Sequence, residues 1–337
     1  MKQKNSLMAK YLTEEIFEQL KDKKTVKGYT LQNLIASGKE NPDSSIGTYA
    51  GDKESYELFA PLLDPIIEEY HSFSKNDIHK SDFDPQKLQF SNPDEEGKYI
   101  ISTRVRVARN LKNIALGTAI SKKDRDEVEK KISTLLLEFD GTLAGNYYSL
   151  NNLDEVEKNN LIKDHFLFKA GDRFLESAGL NRDWPEGRGI FHNNEKTFLV
   201  WINEEDQLRV ISMQKGGDIK AVFTRLSDAI SKLEQKISFS YSEHLGYITS
   251  CPTNLGTAMR ASVHIKLPNL SKNMQEFQMI TDRYNVQIRG IDGEHSQSTE
   301  AIYDISNKRR LGVTEVECIQ DMYNGVVALI KREKELE

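Results

Sequence analysis

Five arginines, all after residue 99, are placed to meet an anion. Arg104 and Arg106 stand two apart in YIISTRVRVA. The alternation predicts a strand, so both guanidinium groups leave the same face. Taken alone, such a pair reads equally well as a solvent-exposed basic patch. Arg209 in DQLRV, Arg260 in TAMRAS and Arg289 in VQIRG each lie in or beside another predicted strand, among apolar neighbours. One strand arginine paired with a carboxylate is ordinary, but five in a net-acidic chain call for a common anion. Polyphosphate fits, because guanidinium grips phosphate oxygens bidentately and stays charged. No Gly-Lys-Ser/Thr phosphate loop and no Gly-rich loop with a His-Arg-Asp motif is present, so arginines would replace both.

Carboxylates supply the second feature. Asn203-Glu204-Glu205-Asp206 ends a predicted strand. Three consecutive acids there read either as a solvated turn or as a binding element. In the second reading Glu205 accepts from a cation while Glu204 or Asp206 reaches Mg²⁺ through water. Glu294, flanked by Gly293 and His295, adds a carboxylate in a predicted mobile loop. Two carboxylates could orient a planar cation and draw off a proton as its nitrogen attacks phosphorus. Third is CPTNLGT, residues 251–257. A lone cysteine is commonly a small buried hydrophobe. Here Cys251 is predicted to end a strand, Thr253 can donate to its sulfur, and nearby arginines would favour the thiolate. The motif holds no histidine, so Cys251 is expected to steer a cationic substrate rather than attack it.

The elements that must position these groups fall into two sets. Residues 1–73 predict helices: one capped by Thr13 and running to Lys24, one from Thr30 ending at Gly38, and one over 53–71 broken or kinked by Pro61 and Pro65. Residues 74–98 have few apolar anchors and read as a linker. From Tyr99 to the end, strands alternate with helices. Ser121 and Asp124 box one helix, Ile219 to Leu233 face another, and Thr314 with Glu317 boxes the last. YITSC, ASVHIKL, VQIRG and AIYDISN read as strands, with a helix from Ser271 to Tyr284. The expected fold class is α+β: a small all-α N-terminal domain, then a domain at 99–337 built on a largely antiparallel sheet flanked by α-helices. The net charge of −6 in 337 residues argues against a nucleic-acid or anionic-membrane partner. Cys251 and Cys318 give no disulfide framework, and no apolar signal core or membrane span is visible, so a cytoplasmic protein is expected.

Together these segments resemble the phosphagen (ATP:guanidino) kinase family over nearly the whole chain. STRVR, DHFLFKAGDRF, GRGIFHN, TFLVWINEED, CPTNLGT, MRASVHI and YDISNKRRLG carry the resemblance. It implies that Arg104, Arg106, Arg209, Arg260 and Arg289 bind the ATP phosphates, with His165 and His264 near adenine or ribose. Glu205 and Glu294 would clamp a guanidinium beside Cys251, and Mg²⁺ would enter with ATP. The loop DSSIGTYAGD is similar to the compact form of the arginine-specific members. Ser44, Ile46, Gly47 and Tyr49 match positions that hold the α-carboxylate and α-amine of L-arginine. Ser45 and Gly51 stand where glycine and proline are common, and Asp292 where arginine is usual. The implied reaction is ATP plus L-arginine giving ADP and phosphoarginine, for cellular ATP buffering, by a monomer or alternatively a dimer. Kinases for taurocyamine, creatine or lombricine, a protein-arginine kinase, and a non-catalytic nucleotide-binding relative are the rival readings.

Overall fold

The computed structural model describes residues 6–290 and 301–337. Its first part is helical: α1 (Leu7–Tyr11), α2 (Glu14–Leu20), α3 (Leu31–Glu40), α4 (Glu54–Leu58) and α5 (Ala60–His71). Leu31, Leu34, Leu62, Leu63 and Ile66 form its fully buried centre. Thr13 caps α2 as its sequence predicts, but the helix stops at Leu20, and Lys24 instead bridges to Thr30. Thr30 and Asn33 form a capping box on α3. Gly38 does not end that helix, which continues to Glu40. It is small for a tertiary reason: a Cβ there would lie 2.5 Å from the carbonyl oxygen of Gly47. The 53–71 stretch breaks at Phe59, with Pro61 in the first turn of α5, where its missing N–H costs nothing, and Pro65 inside the helix.

Residues 74–98 contain one 3-10 turn, Pro85–Lys87, and are better anchored than their composition predicts. Leu88 is fully buried, Phe83 stacks on Phe223 at 4.9 Å, and Phe90 on Tyr323 at 3.8 Å.

The remainder follows as β1 (Ile100–Arg109), α6 (Lys122–Leu136), β2 (Gly145–Ser149), α7 (Glu155–Lys163), α8 (Arg173–Ser177), β3 (Gly189–Asn193), β4 (Phe198–Ile202), β5 (Leu208–Lys215) and α9 (Ile219–Glu234). Then come the short hairpin β6 (Tyr241–Ser242) and β7 (Gly246–Tyr247), β8 (Met259–Lys266), α10 (Met274–Arg283), β9 (Val286–Arg289), β10 (Ile302–Asn307) and α11 (Glu315–Glu335). The predicted Ser271–Tyr284 helix divides into a 3-10 turn, Leu270–Lys272, and α10 capped by Asn273. YITSC is not a strand beyond Tyr247. Its backbone is claimed singly by other elements, with Ser250 N donating to Asp206 and Ser250 O accepting from Ala50.

One eight-stranded sheet has the order β2-β3-β4-β5-β1-β8-β10-β9, with every pairing antiparallel. Its two faces divide the labour through the two-residue period of the strand. Val105, Val107, Val200, Val210 and Val263 point to one face and bury against α6, α9, α10 and α11, where Ile132, Phe223, Phe277 and Met322 complete the core. The alternate residues of the same strands face the other side and carry the chemistry.

Candidate active site

Strand register gathers the predicted arginines onto that second face. Arg106 on β1 lies directly opposite Arg260 on β8, and Ala108, two residues on, opposite Arg209 on β5. Arg289 on β9 lies opposite Asp304 on β10, which in turn lies opposite His264 on β8. A cavity of ≈ 250 Å³ is lined by Arg104, Arg106, Arg260, His165, His264 and Asp304, among others. The two histidines named from sequence therefore line the same cavity as three of the arginines.

This cradle is electrostatically strained without an anion. Burial, and then repulsion from Arg209 and Arg260, pushes Arg104 down to about 10, and the same causes push Arg106 well below its ordinary value. Burial likewise lowers Arg260, against the pull of Asp304. Nε and Nη2 of Arg104 and Nε of Arg260 are buried and meet no acceptor among the described residues. Guanidinium groups crowded out of water this way favour a polyanion that supplies both countercharge and acceptors.

Asp304 is a member of the site that sequence reasoning passed over. One oxygen accepts from Arg260 Nη2 at 2.6 Å and the other lies 3.5 Å from His264 Nε2, so a single carboxylate orients a cradle arginine and a cavity histidine. Burial works against its charge, but His264 and Arg260 outweigh that and hold it below the usual range. The only sequence signal was its alternation with Ile302 and Ser306 in AIYDISN. Trp201 is a second such member: Arg104 and Arg209 lie over its ring at 5.6 and 5.5 Å, and its Nε1 donates to Phe166 O at 2.7 Å. That bond fixes the loop in which His165 sits with φ +59°.

The acid turn 203–206 divides in a way the sequence did not foresee. Glu204 and Glu205 both face Arg209, at 2.9 Å and 3.0 Å. Burial lowers the Arg209 pKa, but Glu204, Glu205 and Asp206 reverse this and raise it. Glu205 Oε1 also accepts from Asn254 Nδ2 at 3.2 Å, placing the middle of CPTNLGT against the acid turn. Burial pushes Glu205 up to about 7 despite Arg209. Asp206 turns inward, is 2 % exposed, and accepts from Asn110 and Ser250. Its second oxygen, Oδ2, meets no donor among the described residues. No group of three or more His, Cys, Asp or Glu that could hold a metal ion occurs among the described residues.

Cys251 packs with Tyr49, Ala178 and Leu180, and its sulfur lies 3.1 Å from Thr253 Oγ1 as expected. The expected thiolate does not follow. Burial, and then the neighbouring Glu205, pushes the thiol up to about 12, and no cradle arginine is among the groups that act on it.

The 44–50 loop reaches this point from the helical part. Gly47 N donates to Ser44 Oγ at 3.0 Å, Met8 N to Ile46 O at 2.9 Å, and Ala50 N to Ser250 O at 2.7 Å. Ser44, Ile46, Gly47 and Tyr49 are thereby held together, and Tyr49 belongs to the same buried cluster as Cys251. Gly51 has its own reason to be small, since a Cβ would lie 2.3 Å from the Tyr29 ring. Glu294, with Asp292 and the SQST segment, lies outside the described residues.

Two family descriptions match the chain: ATP:guanido phosphotransferase, N-terminal domain, over residues 2–68, and ATP:guanido phosphotransferase, C-terminal catalytic domain, over residues 127–336. The chain is 56% identical over 333 residues to arginine kinase of Anthopleura japonica, covering 98% of this chain and 46% of that protein. It is 51% identical over 332 residues to arginine kinase Lit v 2 of Penaeus vannamei, covering 98% and 93%. Among solved structures, lombricine kinase superposes with a TM-score of 0.93 at 40% identity, covering 98% of this chain and 93% of that one. The duplicated taurocyamine kinase from Schistosoma mansoni, with bound transition state analog components, gives 0.92 at 43% identity, covering 99% and 47%. The chain thus spans about half the length of the Anthopleura and Schistosoma proteins and nearly all of the others.

Proposed function

The chain belongs to the ATP:guanido phosphotransferase family, and we propose that it transfers the γ-phosphoryl group of MgATP reversibly to the guanidino group of L-arginine, giving phosphoarginine and ADP. The observation that carries this reading is the adjacency of two opposite sites. A cradle of half-buried arginines on the sheet ends at Arg209, and Arg209 is shared with Glu205, the carboxylate beside Cys251 and the 44–50 loop. A phosphate on the arginines and a guanidinium on Glu205 would meet there.

Phosphoryl transfer in line leaves little covalent chemistry to the protein, so alignment and charge stabilisation carry the rate. Arg104, Arg106, Arg209, Arg260 and Arg289 would hold the phosphates and absorb charge as it spreads over the transferring group. Glu205 would hold the guanidinium, keeping the attacking nitrogen aimed and accepting its proton. Mg²⁺ supplies further neutralisation as part of the nucleotide substrate. Arginine, rather than another guanidino compound, is supported by the compact 44–50 loop and by the arginine kinases at 51% and 56% identity. The lombricine and taurocyamine kinases among the structural relatives, at 40% and 43% identity, favour the second reading, another guanidino acceptor. We take residues 1–73 as the substrate domain, 74–98 as the linker and 99–337 as the nucleotide domain of a cytoplasmic monomer. Among the described residues no helix is long and apolar enough to cross a membrane. A coupled ADP-release assay over arginine, taurocyamine, lombricine and creatine tests the assignment. Turnover highest with arginine is expected, and turnover with another acceptor alone would replace it.

A further inference from the structure

One carboxylate oxygen ties together the turns that meet at Glu205. Asp206 Oδ1 accepts from Asn110 Nδ2 at 2.7 Å and from Ser250 N at 2.9 Å. Asn110 follows the last residue of β1 and spends both its side-chain N–H groups and its amide oxygen here. Its Nδ2 donates also to Ile248 O at 3.0 Å, and its Oδ1 accepts from Gln207 N at 2.9 Å. Ser250 O then accepts from Ala50 N at 2.7 Å, carrying the connection into the helical part. Each node is the chain neighbour of a group assigned to the guanidino end: Asp206 follows Glu205, Ser250 precedes Cys251, and Ala50 follows Tyr49.

The carboxylate is an unexpected choice for this place. Asn110, Asp206 and Ser250 are buried, and Asp206 Oδ2 meets no donor. A buried charged group with one bare oxygen weakens a fold compared with a neutral group of the same shape. What the neighbouring turns take from it is a single acceptor oxygen, which draws two N–H groups from two other elements. The cradle arginines, by contrast, are placed by strand pairing, and among the described residues none of them is a hydrogen-bond partner of Asn110 or Asp206.

We propose that Asn110 and Asp206 are positioning residues for the guanidino substrate. They set the mutual registry of Glu205, Cys251 and the 44–50 loop without touching either substrate. This rests on the guanidino-kinase reading above, so activity of the unaltered enzyme with arginine, or with whichever guanidino acceptor the panel selects, is measured first. Its absence would remove that reading and leave the present proposal without a reaction.

With activity in hand, the network is tested by the split between two Michaelis constants. Asn110→Ala is expected to raise KM for the guanidino substrate by about 10-fold or more and to change KM for MgATP by less than about 3-fold, since loss of uniform binding appears in KM. A merely structural role would lower thermal stability and shift both constants together, and that result would overturn the proposal. Asp206→Asn keeps an acceptor oxygen and the shape, and remains informative should Asn110→Ala fail to fold. It is expected to retain a guanidino KM within about 5-fold of the parent and the parent's dependence on Mg²⁺ concentration, whereas Asp206→Ala loses about 10-fold or more in that KM. Asp206→Asn as damaged as Asp206→Ala, or an altered Mg²⁺ midpoint, would overturn the positioning role in favour of one that needs the charge.

Discussion

The phosphate end and the guanidino end of this site are built by different means. The arginine cradle sits on β1, β5, β8 and β9, where pairing of neighbouring strands fixes every Cβ and the two-residue period fixes its face. The guanidino end sits on three turns drawn from residues 44–50, 203–206 and 250–254, each held by hydrogen bonds to the others rather than by a ladder. The first end is rigid and charged to the point of mutual repulsion. The second draws its countercharge from the first, with Glu205 paired to Arg209 and Cys251 held as a thiol. A sheet suits an invariant ligand such as a polyphosphate. Turns suit a ligand whose length and tail decide specificity, because a turn can be reshaped without disturbing the core.

The largest effect is expected where the rigid end is broken. Arg106→Ala removes a half-buried guanidinium at the centre of the cradle, opposite Arg260. A loss in kcat of roughly 10³-fold, near 4 kcal/mol, is expected, with unfolding temperature unchanged or raised because repulsion is relieved. Steady-state kinetics with a thermal melt checks both, and a near-parental kcat would show that the cradle is not the transition-state clamp.

Next comes the junction of the two ends. Glu205→Gln keeps the shape and removes the charge that meets a guanidinium, so a loss of roughly 10²-fold in kcat/KM is expected. The pH profile gives the sharper reading. Glu205 is pushed up to about 7 by burial, so below that pH it is neutral and above it anionic. Because only the anion attracts the cation, kcat/KM for arginine should rise with pH through about 7, and this limb should vanish in Glu205→Gln. The stability sign is the reverse. A folded pKa above the unfolded value means that ionisation above about pH 4.5 works against the fold, by an amount that stops growing above about pH 7. A profile flat from pH 6 to 8 in the unaltered enzyme would separate Glu205 from the acid limb.

Cys251→Ser is the milder test at the same junction. The side chain packs among Tyr49, Ala178 and Leu180 and holds Thr253 rather than acting as an anion. A loss of about 10-fold in kcat, with turnover still measurable, is expected of a steering group. Complete loss with a trapped phosphocysteine would make it a nucleophile instead.

How much of this was legible in the sequence follows from the same contrast. Arg104 and Arg106 could be read from spacing because a strand converts sequence separation directly into a face, whereas the register that adds Arg209, Arg260 and Arg289 to that face was not legible. Asp304 was missed although it obeys the same alternation, because a lone acid on a strand does not announce its partners. Asn110 and Asn254 were out of reach for a different reason. Asn110 meets Asp206 across about a hundred residues through irregular backbone, and no periodicity relates such positions. Cys251 was misjudged because cations were counted along the chain, whereas in the fold burial and Glu205 dominate its surroundings. Gly38 failed through a local rule: a glycine near a helix end usually marks the stop, and here a contact from nine residues further on required it.

That glycine provides the smallest prediction and the cleanest probe of the turn-built end. In Gly38→Ala the new Cβ would lie 2.5 Å from Gly47 O and 2.7 Å from Gly47 Cα, both backbone atoms, so the 44–50 loop has to give way rather than a flexible side chain. Alanine suits a helix interior better than glycine by about 0.8–1 kcal/mol, which offsets part of the strain, so the net change in stability should stay within about 2 kcal/mol. The displacement should be felt at Ser44, Ile46 and Gly47, which share the loop, and not at β1 or β8. KM for arginine is therefore expected to rise about 3- to 10-fold while KM for MgATP stays within about 2-fold. An equal shift in both constants would mean that the loop and the cradle move as one body, and that the two ends are less separate than their construction implies.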